Sequence, residues 1–333
     1  MPHEESTGWE PIDPNTKSHL RGLDLAADGS AWASGTEGVV LRSLDSGLTW
    51  MTVPVPSAED LDFRDIEAID KNTAITLNAG DGVFIYRTND GGQHWQLVFS
   101  DTNRSLFFDG LDFNGEFGMA YGDPIDNRLK LLRSVNQGVS WHWVEDDIIP
   151  KTLDGEAGFA ASGTGIRLGN SSIWIATGGG TEPRILRMSA YTGWQAISIP
   201  MVSNSTSGIF SIAFADDERG IAVGGSYVDS TMNQQNAAYT EDGGLTWNTP
   251  ESNPAGYRSC VAVEQNGIAI TTGRTGTDVS YDCGKSWTNI SSEGYFSCAI
   301  LGDRVIGVGR NGKIGHMKLP KEKLSSSPDA QVN

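Results

Sequence analysis

The chain has 333 residues, with 24 Lys and Arg against 42 Asp and Glu, which gives a formal net charge of −18. No apolar run approaches membrane-spanning length, and the negative charge argues against a protein that neutralises a nucleic-acid backbone. The 41 Gly, 13 Pro and 10 Trp are typical of a globular, turn-rich chain rather than a disordered or collagen-like one.

One motif, which we call the box, recurs along the chain and ends each time in tryptophan. Its copies are RSLDSGLTW ending at Trp50, RTNDGGQHW at Trp95, RSVNQGVSW at Trp141, TEDGGLTW at Trp247 and SYDCGKSW at Trp287, with a degenerate copy, RMSAYTGW, ending at Trp194. By subtraction, successive copies lie 40 to 53 residues apart. This spacing is typical of the blades of a β-propeller.

The first unit illustrates the strands that each blade should contain. Strands are predicted over Leu23–Leu25, Ala31–Ala33 and Val39–Arg42, and a fourth begins at Trp50. The box then lies in the hairpin between the third and fourth strands. There the box aspartates can accept backbone N–H bonds and the tryptophans can pack between sheets; the aspartates are Asp45, Asp90, Asp242 and Asp282.

Seven such units can be counted, so the sequence predicts an all-β, seven-bladed propeller. Their first strands begin near Arg21, Arg64, Asp109, Thr164, Phe210, Arg258 and Phe296. The seventh unit lacks a box and a fourth strand, but TGWEPI around Trp9 resembles the strands that follow the boxes. We therefore expect one domain over residues 1–320, closed by an outer strand from residues 1–13, and a polar tail over 321–333.

The boxes resemble the BNR/Asp-box propellers related to the photosystem II assembly and stability factor, over essentially the whole domain. The segments FFDGLDF, YGDPID, GEAGFAASGT and GIFSIAF further resemble a bacterial branch of that group that is often labelled "oxidoreductase", although the chain has no G-x-G-x-x-G fingerprint. The resemblance implies an exported propeller that binds a polypeptide. Export would place it in the periplasm, outside the cell or, in a photosynthetic host, in the thylakoid lumen; MPHEESTGW itself shows no signal peptide.

Register predicts where a ligand would bind. On a propeller, the loops entering the first strands and those joining second to third strands share one face, and the boxes lie on the other. Because blades 6, 7, 1 and 2 are contiguous in a closed ring, we expect Arg258, Arg21 and Arg64 on one side of the channel mouth. Three arginines there suit capture of a carboxylate, sulfate or phosphate.

The predicted ligand-binding set also includes Asp109, His19, Tyr257 and Phe210, which lie at or near the same register position. A second interpretation stays open, in which each arginine pairs with a nearby acid instead. The candidate acids are Asp24, Asp65, Glu67 and Asp109.

Two functions remain open from the sequence. The first is a non-enzymatic propeller that holds a protein segment or an anionic ligand such as a glycan at the mouth. The alternative is a sialidase-like hydrolase or lyase using Asp109, Asp123, Glu156 and Tyr257, although the sequence lacks the R-I-P motif of sialidases and cannot give the carboxylate separation that glycosidases require.

We expect no cofactor and no metal, because the five histidines are scattered over different blades. A monomer is expected. Cys260 and Cys298 share one register position in blades 6 and 7, and small buried thiols are favoured there over a disulfide.

Overall fold

The computed structural model describes residues 8–321, and in this part of the chain the structure is all β apart from two 3-10 turns, Asp146–Ile148 and Arg310–Gly312. The predicted polar tail therefore lies outside the described residues from residue 322 onward. Over the described residues, no helix has the length and apolar character that crossing a membrane would need.

The first four blades are four-stranded antiparallel sheets whose strands run outward from the channel in chain order. Blade 1 contains β2 (Leu20–Leu25), β3 (Ala31–Gly35), β4 (Val40–Ser43) and β5 (Met51–Thr52); blade 2 contains β6 (Asp62–Ala68), β7 (Ala74–Ala79), β8 (Val83–Thr88) and β9 (Gln96–Asp101). Blade 3 contains β10 (Phe108–Asn114), β11 (Phe117–Ile125), β12 (Arg128–Ser134) and β13 (His142–Trp143); blade 4 contains β14 (Ile166–Leu168), β15 (Ser172–Ala176), β16 (Arg184–Ser189) and β17 (Gly193–Ser198).

The remaining three blades complete the ring. Blade 5 contains β18 (Ser207–Phe214), β19 (Gly220–Ser226) and β20 (Ala237–Thr240); blade 6 contains β21 (Cys260–Val263), β22 (Ala269–Gly273), β23 (Gly276–Ser280) and β24 (Thr288–Ser291). Blade 7 contains β25 (Ser297–Leu301), β26 (Arg304–Val308), β27 (Ile314–Lys318) and, as its outermost strand, β1 (Glu10–Ile12).

The N-terminal strand closes the ring, as the sequence predicted. β1 pairs antiparallel with β27, with Glu10 opposite His316 and Ile12 opposite Ile314. Trp9 packs on Tyr295 with ring centroids 4.3 Å apart, and its Nε1 donates a hydrogen bond of 3.1 Å to Thr277 in blade 6. The first and last parts of the described chain therefore share one sheet, which joins both ends of the ring by backbone hydrogen bonds.

Blade 5 differs from the predicted four strands. After its box, only Asn248 pairs with the third strand, through an isolated bridge to Tyr239. Pro250 follows two residues later and has no N–H for the ladder, and the next residue, Glu251, donates its N–H to Lys285 of blade 6 at 2.7 Å. Blade 5 therefore has three strands, and the chain passes to blade 6 without forming a fourth.

The boxes form tight hairpins with a shared pattern of hydrogen bonds. In the first, the carboxylate of Asp45 accepts bonds from the backbone N–H and the hydroxyl of Thr49 at 2.8 and 2.7 Å, and Gly47 donates its N–H to Ser43 Oγ at 2.9 Å. Gly47 has φ of +80°, a conformation in which glycine meets little strain. Trp50 Nε1 donates to the carbonyl of Gly47 at 2.9 Å, which orients the indole.

Candidate functional site

Bulges in the inner strands aim side chains at the channel mouth. In blades 1, 2, 3 and 5, the pairing of first and second strands shifts by one residue, and the extra residue is Arg21, Arg64, Asp109 or Phe210 respectively. A bulge leaves its extra residue unpaired and re-aims its side chain. Four of the seven register positions predicted from the sequence therefore coincide with bulges.

A cavity of about 480 Å³ opens at this mouth. Its lining combines cationic and aromatic side chains with a short stretch of backbone: His19, Arg21, Arg64, Phe159, Ala160, Ala161, Phe210, Tyr227, Tyr257, Ser259, Arg274, Phe296 and Arg310. The sequence-predicted residues Arg21, Arg64, His19, Tyr257 and Phe210 are thus brought together.

The aromatic rings form one wall of this mouth cavity. Phe159 and Phe210 stack with centroids 3.9 Å apart, and Phe210 meets Tyr257 edge-on at 4.8 Å. The guanidinium of Arg21 lies over the ring of Phe296, 4.4 Å from its centroid. Such contacts fix the rings and one cation in place, and they leave a rigid apolar surface beside the positive charges.

The two predicted arginines of blades 1 and 2 face the cavity, but they differ in pairing. Arg64 donates Nε to Asp62 at 2.8 Å and NH1 to the carbonyl of Ala160 at 2.9 Å. Arg21 has no carboxylate partner within the described chain; its NH1 donates to the carbonyl of Ala161 at 3.3 Å, and its buried Nε has no partner. Burial lowers the pKa of Arg21, the neighbouring Arg64 lowers it further, and Asp62 offsets part of this effect.

The expectation that Arg258 faces the mouth is wrong. Its side chain is fully buried, with Nε 2.5 Å from the carboxylate of Asp278 on β23 of the same blade, and NH1 bonded to Tyr257 O and Thr275 Oγ1 at 2.9 Å each. Arg258 precedes β21 rather than occupying a bulge, so its side chain turns into the blade. Sequence register alone did not reveal the carboxylate two strands away.

Two further arginines, which the sequence analysis missed, line the cavity instead. Arg274 joins the second and third strands of blade 6, and Arg310 occupies the same loop of blade 7. Arg274 lies 5.9 Å from the centroid of the Tyr257 ring and donates to the carbonyl of Tyr227. A signal was present in the sequence, because loops between second and third strands were already assigned to the mouth face.

A segment of backbone that we call the mouth strap, residues 157–162, crosses the mouth. Ala157 exchanges two backbone bonds with Gly178 of blade 4, and at the other end Ser162 donates to the carbonyl of Ser259 near blade 6 at 2.7 Å. Between these ends, the strap carbonyls accept the bonds from Arg64 and Arg21 described above. The strap therefore forms the floor of the cavity and is held there partly by the arginines.

The acid pairs proposed for a hydrolase do not reach this cavity. Glu156 is buried against Arg184, with Oε1 accepting from Nε at 3.0 Å and from Thr177 at 2.6 Å, so it anchors the base of the strap. Asp123 accepts the N–H of Gly158 at 3.1 Å. Asp109 is 1% exposed beneath the strap. None of the three lines the mouth cavity in the described part of the chain.

The environment of Asp109 favours the protonated carboxyl. Burial raises its pKa well above the ordinary range; the nearby Asp123 raises it further, and Arg64 offsets this only in part. Two of the other acids considered as arginine partners, Asp65 and Asp24, bind backbone instead. Asp65 accepts the N–H groups of Ile66 and Leu111, and Asp24 accepts that of Ala68, each at 2.7 to 2.8 Å.

Deeper in the channel, a second cavity of about 210 Å³ is acidic on one side and apolar on the other. Its acidic side includes Asp24, Asp65, Glu67 and Asp112, facing Arg167. Burial raises the pKa of each of these carboxyls. The mouth cavity, in contrast, has Asp62 as the one carboxylate bonded to its arginines among the described residues.

Fold and site together define the class of protein: a seven-bladed β-propeller whose channel mouth is a positively charged, aromatic-walled cavity in a chain of net charge −18. Residues 1–103 match the family model described as photosynthesis system II assembly factor YCF48. No curated protein sequence matches the chain with significance.

Solved propellers share this architecture. The structure of YCF48 bound to D1 peptide is 14% identical, covering 94% of this chain and 97% of that one with a TM-score of 0.65. YCF48 from Cyanidioschyzon merolae is 14% identical over 93% of this chain and 98% of that one, with a TM-score of 0.62. U3-55K is 12% identical, covering 95% of this chain and 99% of that one, with a TM-score of 0.66. The chain thus shares the seven-bladed propeller fold of YCF48, and the family model confirms the resemblance read from the boxes over residues 1–103.

Proposed function

We propose that this propeller is a binding protein that holds a polypeptide segment in the mouth cavity. The observation that carries the proposal is the combination of Arg21, Arg274 and Arg310, none of which has an ion-pair partner in the described chain, with a fixed wall of aromatic rings. Such a surface suits a segment that presents a carboxylate next to an apolar or aromatic side chain. YCF48, a protein of the same fold, has been solved with a D1 peptide bound, which supports a peptide as the ligand.

Export of the protein is part of the same proposal and rests on the resemblance alone. Cell fractionation with an antibody against the chain tests it directly. Recovery of the protein with cytosolic markers would contradict export without affecting the proposed binding.

Peptide binding is tested with short fluorescent peptides that contain Asp or Glu beside Phe, compared with Asn and Gln counterparts. Fluorescence anisotropy should show binding of the acidic peptides that weakens as salt rises, because the attraction is between charges at a partly exposed site. A sulfated glycan serves as the second probe; tighter binding of the glycan than of any peptide would contradict a polypeptide ligand.

Arg21→Ala should weaken binding of the acidic peptide at least about tenfold, as arginines at the centre of a binding site commonly do. Arg219→Ala is the matched control, since Arg219 carries the same charge but pairs with Asp216 in the turn between the first two strands of blade 5, on the box face. Equal binding by the two variants would refute the assignment of the site.

The hydrolase alternative is tested in the same preparation. Asp109→Asn removes the buried acid that this alternative requires. If the parent protein cleaves a glycan and this variant does not, the protein is an enzyme and the binding proposal is wrong. No specific observation of the mouth geometry favours that outcome, because Asp109 lies under the strap.

A further inference from the structure

Cys260 and Cys298 lie against each other across the interface between blades 6 and 7. They occupy the inner strands β21 and β25, and both are buried, at 0% and 3% exposure. The Sγ of Cys260 is 3.3 Å from the backbone N of Cys298 and 3.3 Å from its carbonyl O. Both thiols are free in this structure. The sulfur of Cys260 therefore already contacts the backbone of the other cysteine, while the Cys298 thiol donates to the carbonyl of Ile270 at 3.8 Å.

Hydroxyl and thiol groups converge on the sulfur of Cys260. The hydroxyl of Thr164 lies 3.7 Å from it and that of Ser297 3.6 Å. Interaction with the Cys298 side chain, aided by the backbone N–H of Cys298, lowers the pKa of Cys260 to about 6 against the effect of burial, and the pKa of Cys298 is raised by the Cys260 thiol and by burial. The thiolate is the reactive form of cysteine, so Cys260 is the nucleophile of the pair and Cys298 retains its proton.

Cys298 borders the channel, whereas Cys260 is fully buried behind Thr164, whose hydroxyl lies 3.7 Å from the Cys260 sulfur. Cys298 and Thr164 line the inner cavity of about 210 Å³, which is large enough for a small oxidant. The third cysteine, Cys283, belongs to the box of blade 6, where burial raises the pKa of its thiol. The chain thus has one cysteine pair with an activated member and one isolated cysteine for comparison.

We propose that Cys260 and Cys298 are a site of reversible oxidation, at which a hydroperoxide converts the two thiols into a disulfide that joins blades 6 and 7. The Cys260 thiolate attacks the terminal peroxide oxygen, the O–O bond breaks, and the alcohol or water leaves after taking a proton, which produces a sulfenic acid on Cys260. The Cys298 sulfur then attacks the Cys260 sulfur, its thiol proton leaves with the hydroxyl group as water, and the S–S bond forms. Two thiols and one hydroperoxide give one disulfide, one alcohol and one water; a dithiol reductant reverses the change.

The cross-link would lie directly below the proposed binding site, since Ser259 precedes Cys260 in the chain and lines the mouth cavity. Oxidation is nevertheless independent of ligand binding, and its test uses no ligand.

The experiment treats the intact protein with a small excess of hydrogen peroxide, followed by mass spectrometry without reduction. Trypsin separates the three cysteines, since Cys260 lies in the peptide 259–274, Cys283 in 275–285 and Cys298 in 286–304. We expect the whole protein to lose the mass of two hydrogen atoms and the first and third peptides to appear linked. A dithiol should restore both.

Variants identify the roles of the two sulfurs. Cys283→Ser should leave the cross-link unchanged, whereas Cys298→Ser should leave a sulfenic acid on Cys260 that dimedone labels. The proposal is overturned if all three peptides of the peroxide-treated parent remain unlinked, if Cys283 is oxidised first, or if the linked peptides come from two different molecules. Because mapping of the parent protein suffices for each of these outcomes, poor folding of a variant does not leave the question open.

Discussion

Removal of Arg258 should destabilise the domain far more than removal of Arg21, although the sequence predicted both arginines at the start of a first strand. Arg258 and Asp278 are 0% and 1% exposed, and their ion pair has an Nε to Oδ2 distance of 2.5 Å. A buried pair contributes little over a well-packed apolar pair, but deletion of one partner leaves a charge without compensation. Arg258→Ala should therefore destabilise the fold by about 3–5 kcal/mol.

The structure places this value toward the lower end of that range. Asp278 would still accept the N–H of Ala255 at 3.2 Å and the side-chain amide of Asn289 at 3.1 Å, so its carboxylate would keep two partners. The carbonyl of Tyr257 and the hydroxyl of Thr275 would lose their donor, which costs further stability in a buried site. We expect about 3 kcal/mol.

Urea denaturation followed by tryptophan fluorescence measures this free energy of unfolding. Arg21→Ala provides the matched comparison, because Arg21 is only partly buried and has no carboxylate partner in the described chain; its removal should cost about 1 kcal/mol or less. Asp278→Asn should destabilise like Arg258→Ala, since it leaves the guanidinium buried without an anion. A urea midpoint of unfolding for Arg258→Ala equal to that of the parent protein would refute the reasoning.

Three further predictions concern closure of the ring, burial of Asp109 and the box aspartate Asp90. Deletion of residues 1–13 removes β1 and Trp9, and we expect a much lower urea midpoint because ring closure is lost; an unchanged midpoint would contradict closure. Burial raises the pKa of Asp109, so the folded chain keeps a proton that the unfolded chain releases above about pH 4. The resulting contribution to stability is present at acidic pH and is lost as the pH rises through the pKa of the folded state. Asp109→Asn should flatten this decline in melting temperature with pH, and a pH profile identical to that of the parent would argue against a buried carboxyl. Hydrogen bonds from His94 lower the pKa of Asp90 to about 2. The ionised carboxylate of Asp90 therefore contributes to stability above about pH 4, and this contribution is lost as the pH falls toward 2. Asp90→Ala should show a smaller loss of stability over this pH range in an acid-unfolding curve.

The architecture was determined largely by local sequence. Each box needs only its own few residues, as in the bonds from Thr49 to Asp45, and the spacing of the boxes sets the blade length. The seventh unit lacks a fourth strand, and the segment around Trp9 resembles the strands that follow the boxes. These two features were enough to predict that the N-terminal strand closes the ring. Repetition made these signals strong, because most blades contain a copy of the same motif.

Only the tertiary structure decided which side chains reach the mouth. Register placed Arg21 and Arg258 at equivalent positions, yet Arg21 occupies a bulge and faces the cavity, whereas Arg258 meets Asp278 from another strand. The loop residues Arg274 and Arg310 enter the cavity from second-to-third strand connections, and the mouth strap brings Phe159 there from a long insertion. A local motif fixes backbone bonds within a few residues, but the direction and charge of a side chain depend on partners that the fold brings from distant positions in the chain.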